Sequence, residues 1–166
     1  MSDTADELHM EIRGLMLDPA SNVPIVILRD PESQLFLPIW IGPYEANAIA
    51  QKMEGVEPPR PMTHDLLKRL VDQLEALVEK VVISDLQDNT FFALIHLRHG
   101  ERSIEIDARP SDAIALALRA EVPVFVRRGV LDKAKLADLA SQATDEERLK
   151  KWLEEVGPDE LGKWTM

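Results

Sequence analysis

Two copies of one short pattern decide the fold: PYEANAIA at residues 43–50 and PSDAIALA at residues 110–117. In each copy a proline opens a run of alanine and aliphatic residues, which predicts a helix that begins at the proline and packs closely against a neighbour. The first copy follows the apolar string LPIWIG at residues 37–42, whereas the second follows the charged string IEIDAR at residues 104–109. The shared pattern therefore indicates a shared fold element. The charged residues found upstream of only the second copy are candidates for a function.

The same offset of 67 positions aligns more than these two strings. It places Asp18 on Asp85 and Asn22 on Asn89, without a gap. We therefore expect an internal duplication, with pseudo-repeats at about residues 9–75 and 76–140. The period is too long, and the copies are too few, for a solenoid.

Each half contains three apolar runs rich in β-branched residues, separated by turn-forming residues, and then helical patterns. The expected strands lie at about residues 10–17, 23–29, 34–41, 78–86, 90–97 and 102–107, and VPVFV at 122–126 reads as a further short strand. A helix capped by Thr63 should carry its apolar residues on one face, namely Leu66, Leu67, Leu70, Val71 and Leu74. The order of elements predicts an α+β class, with two pseudo-repeats of a three-stranded meander followed by helices forming one compact domain.

The two ends are expected to lie outside this domain, which spans residues 9–140. Residues 1–8 read as a flexible acidic N-terminus. Residues 141–166 read as a C-terminal extension containing an amphipathic helix, with Thr144 and Glu147 as its capping box.

Composition excludes several classes of function. The chain has no cysteine, so disulfides, thiolate metal sites and a cysteine nucleophile are absent. No signal-like segment and no apolar run of about 20 residues occurs, so we expect a soluble, cytoplasmic protein without a membrane partner. A net charge of −11 argues against binding nucleic acid over the whole surface, although a local group of arginines can still meet a polyanion.

Charged and polar residues gather at two predicted helix entrances, the one near residue 63 and the one near residue 110. They are Arg60, Thr63, His64, Asp65, Glu105, Asp107, Arg109, Ser111 and Asp112. Free N–H groups at helix starts and arginine side chains bind phosphate, carboxylates hold Mg²⁺ or Mn²⁺, and histidine transfers protons. If the duplication is a pseudo-twofold, the two entrances face each other, and this set supplies the parts for phosphodiester hydrolysis.

The residues receive the following expected roles. His64, Asp65 and Asp112 are candidates for catalysis. Arg60, Thr63, Arg109 and Ser111 are candidates for phosphate binding. Glu105, Asp107 and Asp112 are candidates for holding Mg²⁺ or Mn²⁺.

Each of these residues also has a structural interpretation. An acid in the first turn, such as Glu45 or Asp112, offsets the helix dipole. Arg109 could form an ion pair with Asp107. Trp40 and Tyr44 could stack on a base, but core or subunit-interface packing explains either one.

Five blocks of the chain resemble a known family. They are LPIWIGPYEANAIA (37–50), RPMTHDLL (60–67), DNTFFALI (88–95), IEIDARPSDAIALALR (104–119) and VPVFV (122–126). In this order they resemble the bifunctional nuclease domain family, over about residues 9–131. The resemblance implies a compact α+β domain with two structural repeats, often oligomeric, and cleavage of DNA and RNA. The tail after Ala140 does not resemble the UVR motif into which some relatives continue.

We therefore expect a nuclease that hydrolyses phosphodiester bonds of DNA, RNA or both, with assistance from a divalent metal, in a homo-oligomer. Two alternatives stay open. The first is a non-catalytic homo-oligomeric module that binds a small anion or a protein partner. The second is a purely structural polar network between the two halves.

Overall fold

The computed structural model describes residues 4–141, and it describes side chains over residues 5–135. After a short 3-10 turn, this part of the chain forms seven strands and four α-helices. The strands are β1 (Glu7–Leu17), β2 (Pro24–Arg29), β3 (Phe36–Trp40), β4 (Leu77–Gln87), β5 (Thr90–His99), β6 (Arg102–Ala108) and β7 (Val124–Arg127). The helices are α1 (Pro43–Met53), α2 (Thr63–Gln73), α3 (Pro110–Ala120) and α4 (Arg128–Ser141). This set of strands and helices confirms the predicted α+β class and the single compact domain. The predicted capping box and helix beyond residue 141 lie outside the described residues.

The strands form one mixed sheet in the order β3-β2-β1-β7-β4-β5-β6. Strands β1 to β3 and β4 to β6 each make an antiparallel meander. Strand β7 joins the meanders, because it pairs antiparallel with β1 and parallel with β4. Each meander leads into a helix that begins at a proline, as expected, and VPVFV supplies β7. The duplication itself stays a prediction.

Strand β1 begins inside the segment that was expected to be a flexible N-terminus. Glu7 and Leu8 already pair with Arg127 and Val126 of β7. The Glu7 carboxylate also lies 2.6 Å from Lys80 Nζ on β4. The expected boundary at residue 9 is therefore wrong for these two residues, because the strand partner and the ion pair come from distant parts of the chain.

Helices α1 and α3 pack against each other and against the sheet at the centre of the core. Their repeated alanines make this approach possible, since Ala46 and Ala113 are fully buried and Ala117 is nearly so. Ile49 and Ile114 fill the space beside them. Burying an aliphatic side chain of this size contributes about 1.5–3 kcal/mol, so the two short patterns form much of the domain's centre.

Helix α2 begins at the predicted cap itself, so its N-cap lies one position earlier than predicted. Met62 is the N-cap residue and Thr63 is the first residue of the helix. Only part of the predicted apolar face is covered within the described residues. Leu67 and Val71 pack against the core, whereas the others are more than half exposed, namely Leu66, Leu70 and Leu74.

No helix within residues 4–141 is long and apolar enough to span a membrane. The cytoplasmic location and the homo-oligomer expected from the sequence stay predictions.

Candidate functional site

Two helix entrances that are 48 residues apart in sequence meet through one hydrogen bond. His64, in the first turn of α2, places its Nε2 2.8 Å from Oδ1 of Asp112, in the first turn of α3. The imidazole is about one-tenth exposed and the carboxylate about one-quarter exposed. Because an ionised carboxylate only accepts hydrogen bonds, Nε2 carries the proton of this contact, and in the neutral ring Nδ1 carries the lone pair.

Arg109 extends this contact to a third helix. Its Nε donates to Oδ2 of Asp112 at 2.9 Å, and its Nη2 donates to Oε1 of Glu45 in the first turn of α1 at 2.7 Å. The hydrogen bonds from Arg109 to Glu45 and Asp112 raise the pKa of the guanidinium above its usual value. We refer to His64, Asp112, Arg109 and Glu45 as the entrance cluster.

A glycine makes room for the Glu45 side chain. Gly42 caps α1 as Arg109 caps α3, and the offset of 67 residues aligns these two positions. A Cβ at Gly42 would collide with the Glu45 carboxylate. The N-caps of α1 and α3 are thus a small residue and a cation, and the cation contacts an acid in the first turn of each helix.

One side of the entrance cluster is open to solvent. The Arg109 side chain is 66% exposed. A guanidinium has five N–H donors, and Nη1 of Arg109 makes no hydrogen bond with a described residue. Neither α1 nor α3 has a side-chain hydrogen bond at its N-cap. The cluster can therefore offer N–H donors to an anion in solution.

Asp65 belongs to a second, more enclosed contact. Its Oδ1 accepts from Nε of Arg119 at 2.6 Å, and its Oδ2 accepts from the Met62 N–H at 2.9 Å. Burial acts to raise the pKa of Asp65, but these two hydrogen bonds outweigh it, so the pKa lies below the usual 3.8. Both oxygens are therefore committed within the domain, which suits a structural role better than the catalytic one expected from the sequence.

Arg119 joins three helices through a side chain that is only 5% exposed. Besides Asp65 on α2, its guanidinium donates to the carbonyl oxygen of Ala115 on α3 at 2.9 Å and to that of Ala48 on α1 at 3.0 Å. We call the Asp65–Arg119 pair the strut, because it fixes the position of α2 from which His64 extends.

Glu105 and Asp107 lie on the other face of the sheet. Strand β6 is an edge strand, and its Ile104 and Ala108 pack toward the core. Since side chains alternate along a strand, Glu105 and Asp107 point away from the helices. Glu105 instead lies 3.6 Å from Nδ1 of His96 on β5.

Two further observations concern residues close in sequence to Glu105 and Asp107. Ile106, which alternation places on the same face as Ile104 and Ala108, is nevertheless 44% exposed, because β6 is the last strand of the sheet within the described residues. The suggested Arg109–Asp107 ion pair is replaced by the contacts of Arg109 with Glu45 and Asp112.

The described residues do not fit a divalent metal. The three expected ligands, Glu105, Asp107 and Asp112, are not brought together, and no group of three His, Cys, Asp or Glu side chains within the described part could hold an ion. Asp112 is engaged at both oxygens by His64 and Arg109. Mg²⁺ binding would require these ion pairs to break.

The remaining predicted phosphate ligands are dispersed. Thr63 is exposed at the first residue of α2, and Ser111 is buried at the second residue of α3. Arg60 is exposed in the connector and makes no ion pair with a described residue.

The two exposed aromatic residues near the cluster, Tyr44 and Trp40, differ in their exposure and contacts. Tyr44 is 82% exposed, at the second residue of α1 and next to Glu45, so core packing does not explain it. The indole of Trp40 donates from Nε1 to Asp18 at 2.9 Å, which gives that residue a structural partner in the turn after β1.

Sequence reasoning missed two members of these contacts. Glu45 was interpreted only as a charge that offsets the dipole of α1, and Arg119 was not singled out. Arg119 did carry a signal, since it is the only basic residue of an apolar helix and lies seven positions, or about two turns, after Asp112. That spacing places both side chains on the same face of α3.

Comparison with known families settles the relationship of the whole domain. The model of the bifunctional nuclease domain matches residues 26–138, which include all of the entrance cluster and the strut. The chain belongs to the bifunctional nuclease domain family.

An uncharacterized protein of Mycobacterium tuberculosis is 39% identical over 162 residues, which is 92% of this chain and 97% of that protein. Among plant members of the bifunctional nuclease family, bifunctional nuclease 1 of Oryza sativa subsp. indica is 27% identical over 116 residues, or 68% of this chain and 35% of the plant protein. Bifunctional nuclease 2 of Arabidopsis thaliana is 29% identical over 135 residues, or 75% of this chain and 41% of the plant protein. The plant proteins are thus much longer than the matched domain.

Proposed function

We propose that this chain is a nuclease that hydrolyses phosphodiester bonds of DNA, RNA or both, at the entrance cluster. The observation that carries the proposal is the chain of contacts from His64 through Asp112 to Arg109, beside an open surface. The family supports it, because relatives bear the name of bifunctional nucleases.

His64 is assigned the proton transfer. Asp112 holds Nε2–H of the ring, so the lone pair of Nδ1 can accept a proton from the attacking hydroxyl, either of water or of an RNA 2′-OH. A new P–O bond forms as the bond to the leaving oxygen breaks, and the proton taken up by Nδ1, or one from water, then goes to that oxygen. A carboxylate that orients a histidine in this way fixes the tautomer and stabilises the imidazolium once it forms.

We assign the binding of the scissile phosphate to Arg109. Its exposed edge donates to the non-bridging oxygens, and a guanidinium in a fixed position stabilises the charge that develops on them. Glu45 and Asp112 hold the guanidinium in place but also leave the cluster with one excess negative charge when His64 is neutral. We therefore expect weak, local binding of nucleic acid that weakens further as salt rises.

Asp65, Arg60, Thr63 and Ser111 have no part in this chemistry, and the proposal derives no step through a metal. The predicted assistance by Mg²⁺ or Mn²⁺ is tested by running the same reaction with each ion and with a chelator.

The test is cleavage of labelled single-stranded DNA and RNA by the purified chain and by matched variants. Asp112→Asn should lower the cleavage rate by roughly 10²–10⁴, the usual contribution of general acid–base catalysis, without lowering Tm in proportion. Asp107→Asn is the control, because it removes an acid of the same type five residues away, on the other face of the sheet. Equal cleavage by all three proteins would indicate a contaminating nuclease, and loss in Asp107→Asn alone would favour the metal-binding set instead.

One outcome would favour the alternative. If the chain binds nucleotides and gains thermal stability from them but never turns them over, the entrance cluster is an anion-binding site of a non-catalytic module.

A further inference from the structure

A pocket of about 290 Å³ opens beside the strut, between the end of α1, the connector of residues 54–62 and α2. We call it the connector pocket. Asp65, which follows His64 in the first turn of α2, is one of its lining residues. Three prolines of the connector, Pro58, Pro59 and Pro61, form part of the wall. Because proline fixes φ, this wall is rigid before any ligand arrives.

The charge of the connector pocket is opposite to that of the protein. Four cationic and two acidic side chains line it, a net charge of +2, whereas the whole chain carries −11. Focusing of one sign of charge in a recess attracts ligands of the other sign. The acid Asp65 is already neutralised by Arg119 at the strut.

Two of the four cations are committed to the protein. The guanidinium of Arg119 is bound by Asp65 and two carbonyl oxygens, and Lys68 Nζ lies 2.7 Å from Asp72. Lys52 on α1 and Arg69 on α2 are exposed, and neither has an ion pair with a described residue. The domain's own contacts therefore do not explain why both cations line this recess.

We propose that the connector pocket is a phosphate-binding subsite that takes the backbone phosphate next to the scissile one, with Lys52 and Arg69 as its ligands. This assignment rests on the proposed function for the nature of the ligand, a single nucleic acid strand. The volume is at the small end of ligand pockets, which suits a phosphate with its sugar and not an entire dinucleotide. Lys52 lies seven residues after Glu45 on α1, and Arg69 lies five residues after His64 on α2, so each cation is about two helical turns or fewer from a member of the entrance cluster.

The experiment measures binding without turnover, by fluorescence anisotropy of labelled oligo(dT) of twelve nucleotides, in chelator, across a series of salt concentrations. The pocket variant is the double substitution Lys52→Gln with Arg69→Gln. The control is Arg102→Gln with Lys135→Gln, which removes the same charge at two exposed positions outside the pocket. Both variants should keep the Tm of the parent.

The pocket variant should bind roughly tenfold more weakly than the control, and its plot of log affinity against log salt should be shallower by about 0.7, since each phosphate neutralised on a single strand contributes about 0.7. Equal affinity and equal slope in the two variants would overturn the proposal, as would a parent chain that binds no oligonucleotide. A second arm of the experiment measures the binding of thymidine 5′-monophosphate by the parent and by both variants. Loss of its binding in the pocket variant, with strand binding unchanged, would refute the assignment to a strand.

The two proposals fail in different ways. A chain that never cleaves, yet binds oligonucleotide through Lys52 and Arg69, refutes the nuclease and supports the subsite. A chain that cleaves, yet binds equally in both double variants, supports the nuclease and refutes the subsite.

Discussion

Replacing Arg119 with methionine tests whether the strut holds α2 in place. Methionine keeps most of the aliphatic stem but removes the guanidinium, which contacts Asp65, Ala115 and Ala48 on three different helices. The side chain is 5% exposed, so water cannot readily replace these contacts. Asp65 would lose its cation and two carbonyl oxygens would lose a donor.

The expected cost follows from these contacts. Removing one partner of a buried ion pair costs about 3–5 kcal/mol. Because the Asp65 side chain is one-quarter exposed and can be partly rehydrated, we expect a cost near the lower end, about 3 kcal/mol. For a domain of this size that corresponds to a fall in Tm of roughly 6–12 °C.

Urea denaturation and thermal melts of the parent, Arg119→Met, Asp65→Asn and the double variant measure this cost and the coupling between the pair. Arg102→Met, on the exposed edge strand β6, serves as the control and should change stability by less than about 0.5 kcal/mol. The double variant should cost less than the sum of the single variants, by about 0.5–3 kcal/mol. A cost for Arg119→Met below about 1 kcal/mol, or strict additivity, would refute the strut.

Three further predictions concern separate features. Asp65→Asn should be less stable than the parent at neutral pH. The difference in stability should shrink as pH falls below 3.8 through the lowered pKa of Asp65, because protonation of the parent removes the same charge. Urea denaturation at a series of pH values measures this difference. Tyr44→Ala should weaken binding of single-stranded DNA by about 1–3 kcal/mol if the exposed ring stacks on a base, while Tyr44→Phe should not, as measured by anisotropy. Leu70→Glu, in the exposed leucine row of α2, should convert the predicted homo-oligomer to a monomer in sedimentation velocity; a parent that is already monomeric would contradict this.

Much of the fold follows from local patterns. Proline at the first helical position predicted the starts of α1 and α3, apolar runs rich in β-branched residues predicted the strands, and the repeated alanines predicted the close helix pair at the core. These features depend on neighbours within a few residues, which a sequence displays directly. The meeting of His64 with Asp112 was also expected from the sequence, as the result of two polar helix entrances that face each other.

Long-range contacts were less predictable. Glu105 and Asp107 are close to Asp112 along the chain, but alternation turns them to the face of the sheet away from the helices. Nearness in sequence was taken as nearness in space. Arg119 is bound to partners 54 and 71 residues away, and no local pattern encodes such a contact.

The spacing of apolar residues along α2 also predicted less than the structure shows. It identified an apolar face, but could not show that only Leu67 and Val71 contact the core while the row that begins at Leu66 stays exposed. The covered width of a helix depends on what lies beside it, here α3 and β4.

The central claim is that His64 transfers a proton during phosphodiester cleavage. Its most direct test is chemical rescue of His64→Gly, since removal of a ring held by Asp112 leaves a space that free imidazole can enter. The account predicts that cleavage of single-stranded substrate falls by roughly 10²–10⁴ and that added imidazole restores a substantial part of it, because a general base of suitable pKa is returned. A variant that cleaves as fast as the parent, or one whose lost activity imidazole leaves unchanged while Tm is retained, would contradict the account.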